Sequence, residues 1–425
     1  MNTAEKSIKY IWHPFTQMKD AEPPVAIAYG KGAKLVAEDG KEYIDAVSSW
    51  WVNIHGHAHP HIAKKLSEQA ETLEHCMLAG FTHKPAVELA ERLLTILPGL
   101  SKVFFSDNGS TAVEVGLKMA IQYRYNRGEE KGQIIALEHA YHGDTFGTMS
   151  SAARSPFSRA FDPYLFDVKH LPVPITGHEI EFLEKLETAL ISEKTSIFIY
   201  EPLILGAGGM LMYQPEVLNK ALLLCKKYKA IIIADEVMTG FGRTGKLFAS
   251  DHCAEKPDII CLSKGLTGGS LPMAITACNQ KIYDAFLSSD KMKTFFHGHS
   301  FTGNPMGCAA SLASLDILES RETFDNIGNI SRSHSNFAKT LESNPWIKNI
   351  RQQGTILAFD VSTNGDDGYF NDIKDQLYSA FLAEGIILRP LGNTVYIMPP
   401  YCITTSELEQ VYKGILTVLH QTLQQ

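Results

Sequence analysis

The chain has 425 residues, 44% hydrophobic and 20% charged, a balance that supports a large globular core without disulfide staples. Lysine and arginine total 39 against 47 aspartates and glutamates, and a formal net charge of −8 gives no general pull toward nucleic acid or an anionic membrane. No apolar run reaches the roughly 18 residues of a membrane helix, the first ten residues lack an apolar signal core, and seven scattered cysteines without a C-x-x-C pair point to reduced thiols in a cytoplasmic protein.

In chain order, the first predicted element is a hairpin: Ala33–Glu38, a turn at Asp39-Gly40, and Glu42–Asp45. The histidine run His55-Gly-His-Ala-His-Pro-His61 follows in a Gly/Pro loop. Its alternating spacing matches no common closed zinc site, and Cys76 is the one cysteine nearby, so no metal is expected. Five short apolar runs then each end in a polar residue. They are Val103–Phe105 before Ser106-Asp107, Ile134–Leu137 before Glu138, Ile197–Tyr200 before Glu201, Ala230–Ala234 before Asp235, and Ile259–Leu262 before Ser263-Lys264. None alternates with polar residues, which is how strands buried on both faces read. Between them, Ala112–Arg124 and Pro215–Tyr228 have helical patterns, the latter with Pro215 in its first turn and Leu218, Leu222 and Cys225 on one face. Strand–helix alternation predicts an α/β architecture with a mostly parallel sheet. Toward the C-terminus, Asn371–Glu384 and Ser406–Leu423 are predicted as helices, with Gly385 closing the first and Ser406/Glu409 at capping-box spacing on the second. Length allows two or three domains. The expected division is a large domain over 55–310 and a smaller α+β domain made of 1–54 with 311–425.

Ligands of open parallel sheets sit outside the carboxyl ends of the strands, so the polar residues ending the runs are the candidates: Asp107, His139, Glu201, Asp235 and Lys264. Asp235 and Lys264 are 29 residues apart, the span of one strand–connection–strand unit. A lysine amine and a carboxylate at adjacent strand ends are what pyridoxal phosphate (PLP) needs, one to bind its aldehyde covalently and one to keep its ring nitrogen protonated. Taken alone, either residue has an ordinary use, Asp235 as a helix cap and Lys264 as a solvated loop lysine. Ser106-Asp-Asn-Gly-Ser-Thr111 leads from strand to helix, where Gly109 lets a phosphate approach the free backbone N–H groups and Ser110 and Thr111 add hydroxyls; an N-cap alone would read the same. Tyr141, in a strand-end loop, is placed to stack on a flat ring. Arg389, after Ile386–Leu388, can clamp a carboxylate or form a surface ion pair.

Three motifs together identify a family resemblance: ADEVMTGFGRTG (Ala234–Gly245), SKGLTGG (Ser263–Gly269) and EPLILGAGG (Glu201–Gly209) resemble class III aminotransferases of PLP fold type I, the aspartate-aminotransferase-like fold, over nearly the whole chain. WHPFTQM (Trp12–Met18), SSWW (Ser48–Trp51) with HGH (His55–His57), YHGDTFG (Tyr141–Gly147) and YIMPPY (Tyr396–Tyr401) narrow the resemblance to the branch that aminates 8-amino-7-oxononanoate to 7,8-diaminononanoate on the route to biotin. The resemblance implies that Lys264 carries PLP as a Schiff base and shuttles the proton, that Asp235 partners the ring nitrogen, and that Tyr141 and Val237 cover the ring faces. It implies that Gly109 and Ser110 hold the phosphate, that Phe15, Trp50, Trp51, Tyr141 and Tyr396 line the substrate pocket, and that Arg389 takes the keto-acid carboxylate. Gly298, His299 and Ser300 would reach across a homodimer interface, Gly298 to substrate and the other two to the neighbour's cofactor phosphate.

Phe15 stands where the family often has tyrosine, and His299-Ser300 where some relatives have Pro-Thr. These changes leave the amino donor open between S-adenosylmethionine and lysine. Leu205-Gly206-Ala207 lacks the glutamate that ornithine- and GABA-type relatives carry there, which argues against their reactions. The competing expectations are another ω-aminotransferase acting on a diamine or ω-amino acid, and a PLP-binding regulator without catalysis, for which no basic module flanks the chain.

Overall fold

A computed structural model describes residues 1–129, 132–192, 196–363, 368 and 371–423. Its centre is a seven-stranded sheet in the order Lys102–Ser106, Ala274–Cys278, Ile259–Leu262, Ile231–Asp235, Ile197–Tyr200, Ile134–Leu137 and Lys169–Leu171. Ala274–Cys278 runs antiparallel to both neighbours, and every other pairing is parallel. All five predicted runs are strands of this sheet. Ala274–Cys278 and Lys169–Leu171 complete it and have no counterpart among the predicted elements.

The missing polar alternation has the expected cause. Ile232, Ala234, Phe198, Tyr200, Ile260 and Leu262 join one apolar cluster, while Ile231, Ile233, Ile197, Ile199, Ile259 and Cys261 join a second. Successive side chains of a strand point to opposite faces, so both faces are dry. The second cluster is closed by helix Gly109–Asn126, whose Gly116 brings its backbone close enough that an added Cβ would meet Cys261 Sγ at 3.0 Å. The first is covered by helices that include Lys84–Ile96, Glu179–Ser192 and Pro215–Lys227. Truncating a wholly buried residue such as Ile233 to alanine should cost about 2–5 kcal/mol.

The two chain ends meet. Lys34–Ala37 and Glu42–Asp45 form the predicted antiparallel hairpin, extended by Ile27–Lys31 on one side, and Ile386–Ile387 pairs in parallel with Ile44 and Asp45 on the other. A separate antiparallel sheet joins Ile347–Gln353, Ile356–Val361 and Thr394–Ile397. The predicted C-terminal helices span Ile373–Ala383 and Thr405–Leu423, and Gly385 (φ 73°) does close the first. The capping box of the second is two residues earlier than expected. Thr404 and Glu407 exchange the reciprocal bonds (Thr404 N to Glu407 Oε2, 2.9 Å; Glu407 N to Thr404 Oγ1, 3.2 Å), leaving Ser406 and Glu409 inside the helix.

The histidine run serves packing. His55 is buried with Nε2 3.0 Å from Ser314 Oγ, and burial drives its pKa down to about 3; His57 bonds to Asp45, His61 to Asp316. All seven cysteines are free. Among the described residues, no helix is long and apolar enough to cross a membrane.

Candidate active site

The register of the central strands aligns Asp235 with Cys261, so Asp235 ends its strand as the neighbouring strand finishes at Leu262, two residues before Lys264. Lys264 opens a short 3₁₀ turn, Lys264–Thr267, with an unusual φ of 43°, and Gly268 closes it in the left-handed region. Its Nζ lies 4.6 Å from the centroid of the Trp51 ring. Burial lowers its pKa to about 8 against the opposing pull of the Asp235 and Glu201 carboxylates. A lysine poised there has a substantial neutral fraction near neutral pH, the form in which nitrogen can be nucleophile or base.

Asp235 is buried. Its Oδ2 accepts a hydrogen bond from His142 Nδ1 at 2.8 Å and its Oδ1 accepts the Val237 N–H at 3.1 Å. His142 is enclosed too, and its Nε2 has no hydrogen-bond partner among the described residues. The next residue back, Tyr141, is held by its backbone N–H on Glu201 Oε1 at 3.0 Å, while Glu201 Oε2 accepts the Gly206 N–H at 3.0 Å. The Tyr141 phenol is raised above its ordinary pKa, by burial first and then by Asp144. Burial also raises Glu201 to about 7, partly countered by His142.

The predicted phosphate segment is the N-terminus of helix Gly109–Asn126. Asn108 caps it through Thr111, and the N–H groups of Gly109 and Ser110 have no partner among the described residues. Ser110 Oγ accepts the Asp144 N–H at 3.2 Å. A Cβ at Gly109 would stand 2.6 Å from Val237 Cγ1, and one at Gly143 would stand 2.1 Å from Ser110 Oγ, so both glycines are needed for the helix end to abut the strand-end loops.

The aromatic wall comes from the SSWW segment and its neighbours. Trp51 is buried, donating from Nε1 to Tyr396 Oη at 2.9 Å. Trp50 is 41% exposed, with the Phe15 ring 5.8 Å away on one side and the Arg389 guanidinium 4.4 Å from its centroid. Arg389 has no acidic partner within ion-pair range among the described residues and lies over the Trp50 ring.

The structure therefore places Trp51 and Tyr396 beside Lys264 and gathers Phe15 and Arg389 around Trp50, the two groups joined through the adjacent tryptophans. Asp235, Val237, Tyr141, Gly109 and Ser110 meet at the neighbouring strand ends. It does not bring Gly298, His299 or Ser300 to Lys264 within one chain. That segment touches Lys118 and Phe104 through His297 and Thr302 through His299, and Gly298 and Ser300 are exposed. Sequence reasoning missed His142 and gave Glu201 no partner. The available signal was position: Glu201 directly follows a buried strand and His142 lies in the loop five residues past another, where polar groups gather.

Glu201 makes a checkable contribution to stability. Its folded-state pKa of about 7 exceeds that of an unfolded glutamate, so the folded chain binds the extra proton between about pH 4.5 and 7 and loses that advantage as pH rises through the window. Urea unfolding of the apo-protein across that range should show a downward slope that Glu201→Gln reduces. An identical slope in the variant would place the proton elsewhere.

These residues fit PLP: an enclosed amine of lowered pKa, a buried carboxylate anchored by histidine, a flanking aromatic and valine, and free N–H groups at a helix end. Fold and site together define a fold type I PLP enzyme. The family model for class III aminotransferases matches residues 16–419, and the chain belongs to that family. It is 46% identical to an adenosylmethionine-8-amino-7-oxononanoate aminotransferase from Synechococcus elongatus, covering 97% of this chain and 99% of that one, and 41% identical to one from Geobacter sulfurreducens, covering 97% and 96%. Among solved structures, the enzyme of the same name from Methanocaldococcus jannaschii superposes with a TM-score of 0.91 at 34% identity, over 97% of this chain and 98% of that one. The omega transaminase from Pseudomonas jessenii, in complex with PMP, reaches 0.93 at 27% identity over 100% and 99%.

Proposed function

We propose that this chain aminates 8-amino-7-oxononanoate to 7,8-diaminononanoate, the diamine on the route to biotin, with S-adenosylmethionine as donor. The observation that carries the substrate reading is Arg389, without an acidic partner among the described residues, laid over the ring of Trp50, whose chain neighbour Trp51 packs against Lys264. A long apolar chain ending in a carboxylate matches a greasy wall ending in a guanidinium.

PLP, when bound, supplies an aldehyde for the amine and a ring that accepts electrons. Lys264 would hold the cofactor's aldehyde and take up and return the proton at Nζ, and its lowered pKa keeps the amine available for both. Asp235 would partner the ring nitrogen, and His142, bonded to its Oδ2, fixes which way the carboxylate points. The N–H groups of Gly109 and Ser110 would hold the phosphate, and Tyr141 and Val237 would cover the ring. Glu201 sets the position of Tyr141 through the backbone. Trp50, Trp51, Phe15 and Tyr396 exclude water around the substrate chain. Donor and acceptor use one pocket in turn, so the kinetics are ping-pong. The exposed Phe296 and Phe301 that bracket His297–Ser300 support a homodimer in which this segment completes the neighbour's site.

The test is a coupled assay with 8-amino-7-oxononanoate, offering S-adenosylmethionine and lysine separately. Turnover with S-adenosylmethionine is expected; turnover with lysine alone would replace the donor, and failure with both would overturn the substrate. Arg389→Ala should raise the KM for the keto acid by about 10- to 100-fold, the worth of a charge-assisted bidentate contact, with kcat much less affected. An unchanged KM would move the carboxylate to another residue.

A further inference from the structure

The SSWW segment carries a backbone that its residues would not choose. Ser48 (φ 52°), Ser49 (φ 60°, ψ −91°) and Trp51 (φ 67°) all lie at positive φ without being glycine. Such a backbone persists only where its surroundings over-determine it. Here the surroundings centre on one side chain, Asp45.

Asp45 ends the strand Glu42–Asp45 and is wholly buried. Its Oδ1 accepts the Val47 N–H at 3.2 Å. Its Oδ2 accepts the Ser49 N–H at 2.7 Å, the Ser49 hydroxyl at 3.3 Å and His57 Nε2 at 2.8 Å. One carboxylate thus receives four donors, two of them backbone N–H groups, at Val47 just before the strained turn and at Ser49 within it. Ser48 Oγ adds a bond to the Met398 carbonyl at 2.9 Å. On the next strand Ile387 is in register with Asp45, so Arg389 leaves its strand end beside the point where the turn begins. The turn then delivers two rings in different directions: Trp50 under Arg389 and Trp51 beside Lys264 and Tyr396.

We propose that Asp45, anchored by His57, is a positioning residue for substrate recognition, which locks the strained Ser48–Trp51 turn so that Trp50 and Arg389 form a preset carboxylate-end subsite. This rests on the substrate reading above. Asparagine is the right probe because it keeps size and burial but offers one acceptor oxygen. Either the Val47 N–H or the Ser49 and His57 donors then face an NH2 group, and the turn loses its lock.

The experiment uses the PLP-loaded enzyme. Asp45→Asn should retain the cofactor, trapped on Lys264 by borohydride. Its KM for the keto acid should rise about tenfold or more while kcat changes by less than about threefold, since misplacing a recognition group by an ångström is costly. In a Trp50→Ala background the same substitution should add less than about twofold, because the two act as a unit. Independently of turnover, in a Trp12→Phe/Trp346→Phe background the fluorescence anisotropy of the remaining tryptophan pair should fall on Asp45→Asn. An unchanged KM and anisotropy in a cofactor-loaded variant would overturn the inference, as would an equal KM rise with and without Trp50, which marks general loosening. If Asp45→Asn does not fold, His57→Ala takes its place in the same cycle, with the KM rise recovered by His57→Gln, whose amide still donates. A wild-type enzyme inactive on the keto acid would strike the substrate reading, whereas the anisotropy result addresses the lock itself.

Discussion

Lys264→Ala is expected to lower turnover by about 10⁴-fold or more, equivalent to about 5 kcal/mol of barrier, and to leave a protein that no longer forms a borohydride-stable adduct with PLP. The argument is chemical and local. Lys264 is the amine enclosed at the strand ends, next to Trp51, and burial holds its pKa near 8. Added amines should restore part of the activity in proportion to their size and basicity if proton transfer is what the variant lacks. Steady-state turnover close to wild type would remove Lys264 from the mechanism. So would a borohydride adduct mapped to another lysine.

Asp235→Asn is expected to cost about 10³-fold in rate, or about 4 kcal/mol, while the protein still folds and binds PLP. Asparagine keeps the shape and can keep a bond to the Val237 N–H, but it removes the negative charge proposed to partner the ring nitrogen. It also puts the His142 contact at risk, since Nδ1 now meets a weaker acceptor or an NH2 group. The bound cofactor's absorption band should shift, because the ring nitrogen is no longer held protonated. A loss below about tenfold would contradict the role of Asp235 in making the ring an electron sink. His142→Ala separates charge from orientation: it leaves the carboxylate and removes its anchor, and should fall between wild type and Asp235→Asn.

Much of this was legible along the chain, for reasons that lie in local pattern. The buried runs at 134–137, 197–200, 230–234 and 259–262 announced a helix-covered parallel sheet because both of their faces are dry, and polar residues at their ends marked the cleft. Asp235 and Lys264 could be paired from their 29-residue spacing, since adjacent parallel strands bring their ends to one edge. The Phe15, SSWW and Arg389 motifs were recognisable as units, and the structure joins them through ring contacts.

Other features had no local signal. Lys169–Leu171 is only three residues long and becomes a strand because the edge at Ile134–Leu137 is there to pair with, while Ala274–Cys278 is fixed as a strand by antiparallel pairing to Lys102–Ser106 and Ile259–Leu262 on its two sides. Two capping boxes of equal spacing compete at 404–409; the backbone bonds chose Thr404 and Glu407. His142, Glu201 and Asp45 acquire their meaning from partners 93, 60 and 12 residues away, at Asp235, Tyr141 and His57. The sequence by itself determined the α/β class, the strand ends and the residue types able to hold PLP, because these follow from periodicity and from chemistry carried within a few residues. Only the tertiary structure decided which buried carboxylate faces which donor, and which strained turn sets Trp50 beneath Arg389, because those bonds form between segments that meet only when the core has excluded water.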